Sequence, residues 1–457
     1  MYKNFIVVAF VLLATLVQAQ KEYTVKVFID EFPNSKVMLA GFYGDKNSIV
    51  DTAETDVNGN LTFIFPDDRP AGMYRMFLTK KKFADFIFDK EDIELRTEYD
   101  FPMDSMKVVS SWSNKKYYGF LHAEHDFNIK LELLSPVVSY FPKDDDFYNE
   151  VVTKFNNLQK ERDNYILESA AEKDDSYVSK IILFQRTPML PKNISEKEKN
   201  EYMRNHFFDK INFDDAELLR SDVYPTKLIN FLSLFGNRNF TQEELENSFI
   251  KGMDILMSKP FDNLLVKEYV TEYMLKGFEQ YGLERVIAHI AETYNDDKAC
   301  ENEERKSDLQ TRLDNYKKLA IGKIAPDIKI SDADGNIIRF DEIESNYVML
   351  IFWANWCPHC TQMIPEIKKM YDNQKKKNIE VLAISLDKEK DAWKKYISDE
   401  KLSWINACDL KSWSSKVVSD YNIYATPTII LLDRKNREIL SKPITLQAIQ
   451  KEFDSRQ

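Results

Sequence analysis

Cysteine, histidine and glycine are scarce here: four, five and eleven residues in a chain of 457. A chain this long with so few thiols is not a small disulfide-stapled scaffold, so most of its fold must rest on hydrophobic burial. No second Cys-x-x-Cys or Cys-x-x-His pair completes a zinc set beside Cys357 and Cys360, because Cys300 and Cys408 stand alone. Positive charge is in deficit. The formal charge is −12 with no basic block, which argues against nonspecific binding to nucleic acid or to an anionic membrane surface. After the first nineteen residues no apolar run is long enough to span a bilayer. What remains is 44% hydrophobic and 13% aromatic, the composition of a well-packed globular protein of two to four domains.

Residues 1–19 read as an export signal. Lys3 supplies the positive start, Phe5 to Val17 form an apolar run short of a comfortable span, and "VQA" offers small residues for cleavage after Ala19. An uncleaved N-terminal anchor is the alternative. No cysteine follows the run to take a lipid. The expected product is exported, periplasmic and soluble after cleavage, in a compartment where disulfides persist.

Three patterns follow. Residues 20–110 carry strand-like runs: "YTVKVFI" (23–29), "KVMLAGFY" (36–43), "NLTFIF" (60–65) and "MYRMFLT" (73–79). "VNGN" (57–60) signals a hairpin, and the spacing predicts a small β-sandwich. Residues 111–320 turn helical, with Tyr117, Phe120, Leu121 and Phe127 at helical spacing and a capping box at Thr241 and Glu244. "TPMLPKN" (187–193) breaks this region, no 34-residue repeat is present, and charged 295–318 reads as an exposed helix or linker. From residue 321 strands and helices alternate. "DADGN" (332–336) is a hairpin turn, and "YVMLIFWA" (347–354), "IEVLAISLD" (379–387) and "TPTIILLD" (426–433) are buried strands of an α/β sheet with parallel pairs.

"NWCPHC" (355–360) stands just beyond the carboxyl end of the first of those strands, where open α/β sheets place their functional sites. Pro358 suits the first position of a helix, which makes Cys357 the N-cap. A thiolate there meets free N–H groups and the positive end of the helix dipole, lowering its pKa. Cys360 lies within disulfide reach and should be more covered. Three readings compete: a redox pair, a structural clip and part of a zinc site. A clip needs neither the strand-to-helix junction nor the proline, and zinc lacks ligands, so the redox reading leads.

"FWANWCPHC" with Pro365 and the later "TPT" (426–428) resembles the thioredoxin superfamily, and "GKIAPDIKISDADGNIIRF" (322–340) is similar to the entry segment of its exported TlpA/ResA-like branch. Residues 20–110 and 111–320 resemble the DUF4369-like and DUF5106-like regions that precede such domains in Bacteroidetes. The resemblance implies Cys357 as nucleophile and Cys360 as resolving thiol, with no cofactor beyond that pair. It implies a cis peptide bond before Pro427, substrate backbone pairing at Thr426, Trp356 on the rim and Trp353 in the core. Pro358 and His359 would tune the thiol. Two departures stand out. Met363 occupies the position where the TlpA-like branch carries a glutamate, and Ile351 the position of the buried thioredoxin aspartate. Proton transfer from Cys360 must then use water, His359 or another group. Pro-His between the cysteines is the pair of the oxidising DsbA type, and potentials in the superfamily run from about −270 mV for thioredoxin to about −120 mV for DsbA. The direction of electron flow stays open.

Cys300 and Cys408 are either a bridge or, as preferred, two separate thiols. His122 and His125 share a helix face without further ligands and read as surface, not metal. "NIS" at Asn193 is a glycosylation pattern in name only. The expectation is an exported protein disulfide oxidoreductase acting on protein thiols and disulfides, served by a membrane or periplasmic redox partner. The rival is a partner-binding scaffold whose redox domain does little.

Overall fold

The computed structural model describes residues 21–191, 194–294, 308–332, 334–374 and 378–456. The signal-like residues 1–19, Asn193 and Cys300 lie outside them. Packing divides the described chain into two compact units: one runs to Asn230 and takes in Phe261–Val266, the other holds Phe231–Pro260 and the chain from Lys267 onward.

The first unit opens with strands β1 (Glu22–Asp30), β2 (Lys36–Tyr43), β3 (Lys46–Glu54), β4 (Asn60–Pro66), β5 (Gly72–Phe77), β6 (Phe83–Phe88), β7 (Ile93–Glu98) and β8 (Lys107–Ser110). They form two four-stranded sheets, ordered β4-β1-β7-β8 and β3-β2-β5-β6. Alternating burial turns one face of each sheet inward, as in β1, where Tyr23, Val25, Val27 and Ile29 are buried. Rings close the sandwich: Phe65 of β4 meets Tyr74 of β5 at 5.1 Å and Phe88 of β6 at 4.6 Å.

The turn at Val57–Asn60 is present, but it does not make a hairpin. Gly59 takes φ +85°, and a Cβ there would stand 2.2 Å from the Ile29 carbonyl oxygen. The strands it joins, β3 and β4, belong to different sheets, so the turn carries the chain across the sandwich. A local turn signal specifies the reversal, while burial chooses the partner strand.

The helical stretch follows as α1 (Trp112–Tyr140), α2 (Asp146–Ala171), α3 (Tyr177–Phe184), α4 (Glu196–His206), α5 (Val223–Ser233), α6 (Gln242–Met257), α7 (Leu264–Gln280), α8 (Glu284–Thr293) and α9 (Asp308–Lys318). The break at 187–193 falls between α3 and α4, and the capping box opens α6 with both of its hydrogen bonds made. α1 covers the free edge of β6. The buried Asn114 amide donates to the Ile87 carbonyl at 2.7 Å and accepts from the Ile87 N–H at 2.8 Å, standing in for a missing strand. The division between the two units falls within α5 and α7, so α6, α8 and α9 pack in the unit that holds the C-terminal sheet.

That sheet has the order β13-β12-β11-β14-β15, from β11 (Tyr347–Trp353), β12 (Ile379–Ser385), β13 (Ile405–Ala407), β14 (Thr428–Asp433) and β15 (Ile439–Ser441). The hairpin of β9 (Lys329–Ser331) and β10 (Ile337–Arg339) precedes it, and α10 (Pro358–Asp372), α11 (Lys390–Asp399), α12 (Lys416–Asp420) and α13 (Leu446–Ser455) accompany it. β11 pairs parallel with β12 and antiparallel with β14. Val348 through Trp353 are all fully buried, as a strand covered on both faces requires. The fold class is therefore the expected one: two facing β-sheets, a helical region, and a mixed α/β sheet of thioredoxin type.

Candidate functional site

β11 ends at Trp353, and the chain turns through Ala354–Trp356 into α10. Cys357 is the N-cap, with φ −89° and ψ 112°, and Pro358 is the first helical residue. Cys360, Ile364, Ile367 and Tyr371 follow on one buried face of α10, which fixes the helix against the sheet and puts the second sulfur inside. Cys357 keeps 6% of its surface exposed and Cys360 none. Only the first sulfur offers itself to another molecule. Both are free thiols.

The Cys360 N–H donates to the Cys357 sulfur at 3.4 Å, and the Cys357 thiol donates to the Thr426 carbonyl at 3.3 Å. The Thr426–Pro427 peptide bond is cis, as the resemblance implies. Burial by itself would raise the Cys357 thiol. Hydrogen bonds from the Cys360 and Thr426 groups and from the Cys360 and His359 N–H groups outweigh it and hold the thiol below its ordinary value. Cys360 goes the other way: burial, and then its hydrogen bond to Cys357, push it up to about 12.

Trp353 is fully buried and Trp356 is 53% exposed, while Pro358 and His359 are exposed beside the sulfur. Met363 packs against the core as a partly buried side chain, and Ile351 is fully buried within β11. Neither position supplies a carboxylate.

Sequence reasoning overlooked one acid. Asp387, 2% exposed, lies just past the end of β12, the parallel neighbour of β11. Its carboxylate accepts from the Asn355 N–H at 3.2 and 3.3 Å, and from the Ser385 hydroxyl at 2.6 Å. Burial raises its pKa, with the Ser385 and Asn355 hydrogen bonds opposing. The signal lay in "ISLD", an acid at a strand's carboxyl end, where such sheets carry function. The Cys408 thiol, also buried, donates to the Asp387 carbonyl at 3.4 Å.

The loop that leads to Pro427 is tethered to α9. The Tyr316 and Tyr424 hydroxyls lie 3.1 Å apart, and the Asn315 amide donates to the Asn422 side chain at 3.2 Å. Tyr316 also donates to Glu279, which the Arg312 guanidinium holds at 2.7 Å. On α1, His122 and His125 are exposed, and no cluster able to hold a metal occurs among the described residues. No helix among them is long and apolar enough to cross a membrane.

Residues 321–438 match the AhpC/TSA family, and residues 157–267 match a domain of unknown function, DUF5106. Thiol-disulfide oxidoreductase ResA of Bacillus cereus is 28% identical over 122 residues, 27% of this chain and 69% of that protein. ResA of Geobacillus kaustophilus is 27% identical over 139 residues, 30% of this chain and 78% of that protein. Among solved structures, a thiol-disulfide oxidoreductase from Bacteroides fragilis is 32% identical, covers 29% of this chain and 98% of its own, and has a TM-score of 0.26. A thioredoxin-like protein from Bacteroides caccae is 22% identical over 60% of this chain and 98% of its own, with a TM-score of 0.44. The chain thus carries a thioredoxin-like AhpC/TSA domain related to the ResA thiol–disulfide oxidoreductases, together with a DUF5106 region.

Proposed function

We propose that this chain is an exported thiol–disulfide oxidoreductase that exchanges disulfides with protein substrates through Cys357 and Cys360. The observation that carries the reading is the contrast between the two sulfurs: one reachable and acidified at a helix N-cap, the other sealed and kept as a thiol. In the reducing direction the Cys357 thiolate attacks a substrate disulfide, forming a mixed disulfide and releasing one substrate thiolate, which takes up a proton. Cys360 then loses its proton and attacks the Cys357 sulfur. The products are the Cys357–Cys360 disulfide and a second substrate thiol, for two electrons transferred. The oxidising direction is the same sequence in reverse.

In this reading Trp356 forms the rim, Pro358 fixes the start of the helix, and His359 adds its N–H and, when protonated, its charge. The Thr426 backbone holds the substrate strand beside Pro427. The Pro-His pair between the sulfurs, shared with the DsbA type, places the potential on the oxidising side of thioredoxin, above about −270 mV. Asp387 is a buried carboxyl hydrogen-bonded to the turn before Cys357 and is the candidate for the acid absent at Met363. A signal at 1–19, a sandwich at 20–110, a helical domain at 111–320 and the redox domain at 321–457 complete the layout, with a periplasmic or membrane redox partner. Insulin reduction and refolding of scrambled ribonuclease test the proposal. Wild type catalyses one or both, and Cys357→Ala loses about a thousandfold of the rate, since the other described thiols, Cys360 and Cys408, are more deeply buried. Equal behaviour of the two proteins would overturn the reading in favour of a scaffold.

A further inference from the structure

Two indoles stand in solvent, one next to Cys357 in the chain and the other beside the first. Trp356, adjacent to Cys357, is 53% exposed, and Trp413 is 45% exposed. Their rings lie 6.5 Å apart, inclined at 56°. Indoles are among the most strongly buried side chains on average, and two left exposed together mark a surface that is covered at some stage.

Trp413 is held out by a fixed loop. The segment after β13 places Leu410 at φ 57° and Ser412 at φ 54°, both in the left-handed region that a branched leucine in particular avoids. Ser412 and Ser415 are nevertheless buried at 5% and 2%. The Lys411 N–H donates to the Asp409 carboxylate at 3.1 Å, and the Ser415 N–H to the Ser412 carbonyl at 3.1 Å. Leu410 is itself 36% exposed. The loop therefore keeps a tight conformation whose visible result is an apolar projection toward Trp356. Strain of this kind survives where the surroundings impose it, and it concentrates at ligand clamps.

We propose that Trp356 and Trp413 form an aromatic clamp for a substrate polypeptide, taking an aromatic or large aliphatic side chain close to the substrate's reactive cysteine. The clamp rests on the assignment of disulfide exchange to Cys357. An extended polypeptide fits because Thr426, whose carbonyl accepts from the Cys357 thiol, offers main-chain pairing, while the indoles, one of them next to Cys357 in the chain, offer apolar contact. Trp413 thereby sets specificity without touching either sulfur.

The test uses the full chain and two peptide disulfides that differ only in Phe or Ser next to the cysteine, with 5,5′-dithiobis(2-nitrobenzoate) as a small disulfide. Wild type should favour the Phe peptide in kcat/KM by about tenfold, the scale of one aromatic pairing. Trp413→Ala should lose that preference, with the Ser peptide, the small disulfide and the Cys357–Cys360 potential unmoved. Trp413→Phe should keep most of it. The clamp is overturned if wild type shows no preference, or if Trp413→Ala slows both peptides alike or shifts the potential. If no disulfide reacts with wild type, the oxidoreductase reading itself has failed. The clamp is then judged by tryptophan fluorescence on titration with the same peptides: a stronger response to Phe upholds it, and equal responses refute it.

Discussion

Helices α1 and α10 both begin at a side chain that takes up free backbone N–H groups, in different units and with opposite results. At α1, Glu91 accepts from the Ser111 hydroxyl at 2.8 Å, the Trp112 N–H at 2.9 Å and the Ser113 N–H at 2.8 Å, and Ser111 accepts from the Asn114 N–H at 2.9 Å. The helix end is saturated by a resident carboxylate. At α10 a single sulfur is the only cap, taking a long bond of 3.4 Å from the Cys360 N–H with the His359 N–H beside it, and no carboxylate. The same positive terminus anchors the chain in one place and in the other meets a thiol held below its ordinary value. A charge fully occupied by its neighbours does structural work, and chemistry collects where occupancy is partial.

The contrast should be largest between the two sulfurs of α10. With Cys360 pushed up to about 12 and Cys357 below its ordinary 9.0, their thiolate fractions near pH 8 differ by about a thousandfold or more. Iodoacetamide added to the reduced protein should label Cys357 with a midpoint below pH 9 and leave Cys360 unmodified, as read by mass spectrometry. Labelling of the two within tenfold of each other would erase the distinction.

The first unit supplies a group that sharpens the comparison from the other side. Its buried and half-buried charges mostly have partners: Arg75 with Asp85 at 2.7 Å, Arg162 with Glu124 at 2.6 Å, and Asp163 with Arg186 and Lys210 at 3.0 and 2.9 Å. Lys227, 5% exposed, donates instead to the neutral Arg186 carbonyl at 2.6 Å. Burial, and then the nearby Arg162, depress it to about 7 from 10.5. Between those values the unfolded chain binds the proton and the folded chain does not, so stability rises with pH across that window. Below about pH 7 the full penalty applies. Relative to Lys227→Met, wild type should gain about 4 kcal/mol in urea unfolding between pH 7 and pH 10. A difference that stays flat with pH would show the amine to be charged in the fold.

The smallest effect belongs to the saturated cap. Glu91→Ala leaves three donors at the start of α1 without their acceptor and should cost about 3 kcal/mol of stability, against about 1 kcal/mol for Glu91→Gln, which keeps an oxygen. Disulfide exchange at Cys357 should be unaffected in both. A loss of exchange in folded Glu91→Gln would mean that the α1 cap does more than hold structure.

The C-terminal sheet was legible because its local and global signals agree. An unbroken apolar strand, Pro358 at a helix start and a lone cysteine pair all pointed to one arrangement, and the burial of Trp353 against the exposure of Trp356 followed. The sandwich was legible as strands but not as pairings. "VNGN" encodes a turn and says nothing about which sheet comes next, and β3 is a largely exposed edge strand with no apolar alternation to announce it. Asp387 and Trp413 were hidden for a different reason. Each meets a neighbour distant in sequence, Asn355 in one case and Trp356 in the other, and no local pattern records such a meeting.

The tether from α9 to the Pro427 loop bears on how this molecule can be dissected. A fragment that starts at residue 321 keeps every strand of the C-terminal sheet but severs the hydrogen bonds from Tyr316 to Tyr424 and from Asn315 to Asn422. It also strands Lys442, whose partner at 2.7 Å is Glu284 of α8. The boundary that a sequence motif suggests therefore cuts through the struts of the loop that faces the reactive sulfur. Helix α9 acts as a splint for that loop and α8 ties down the segment after β15, so a fragment begun before α8 keeps both sets of contacts.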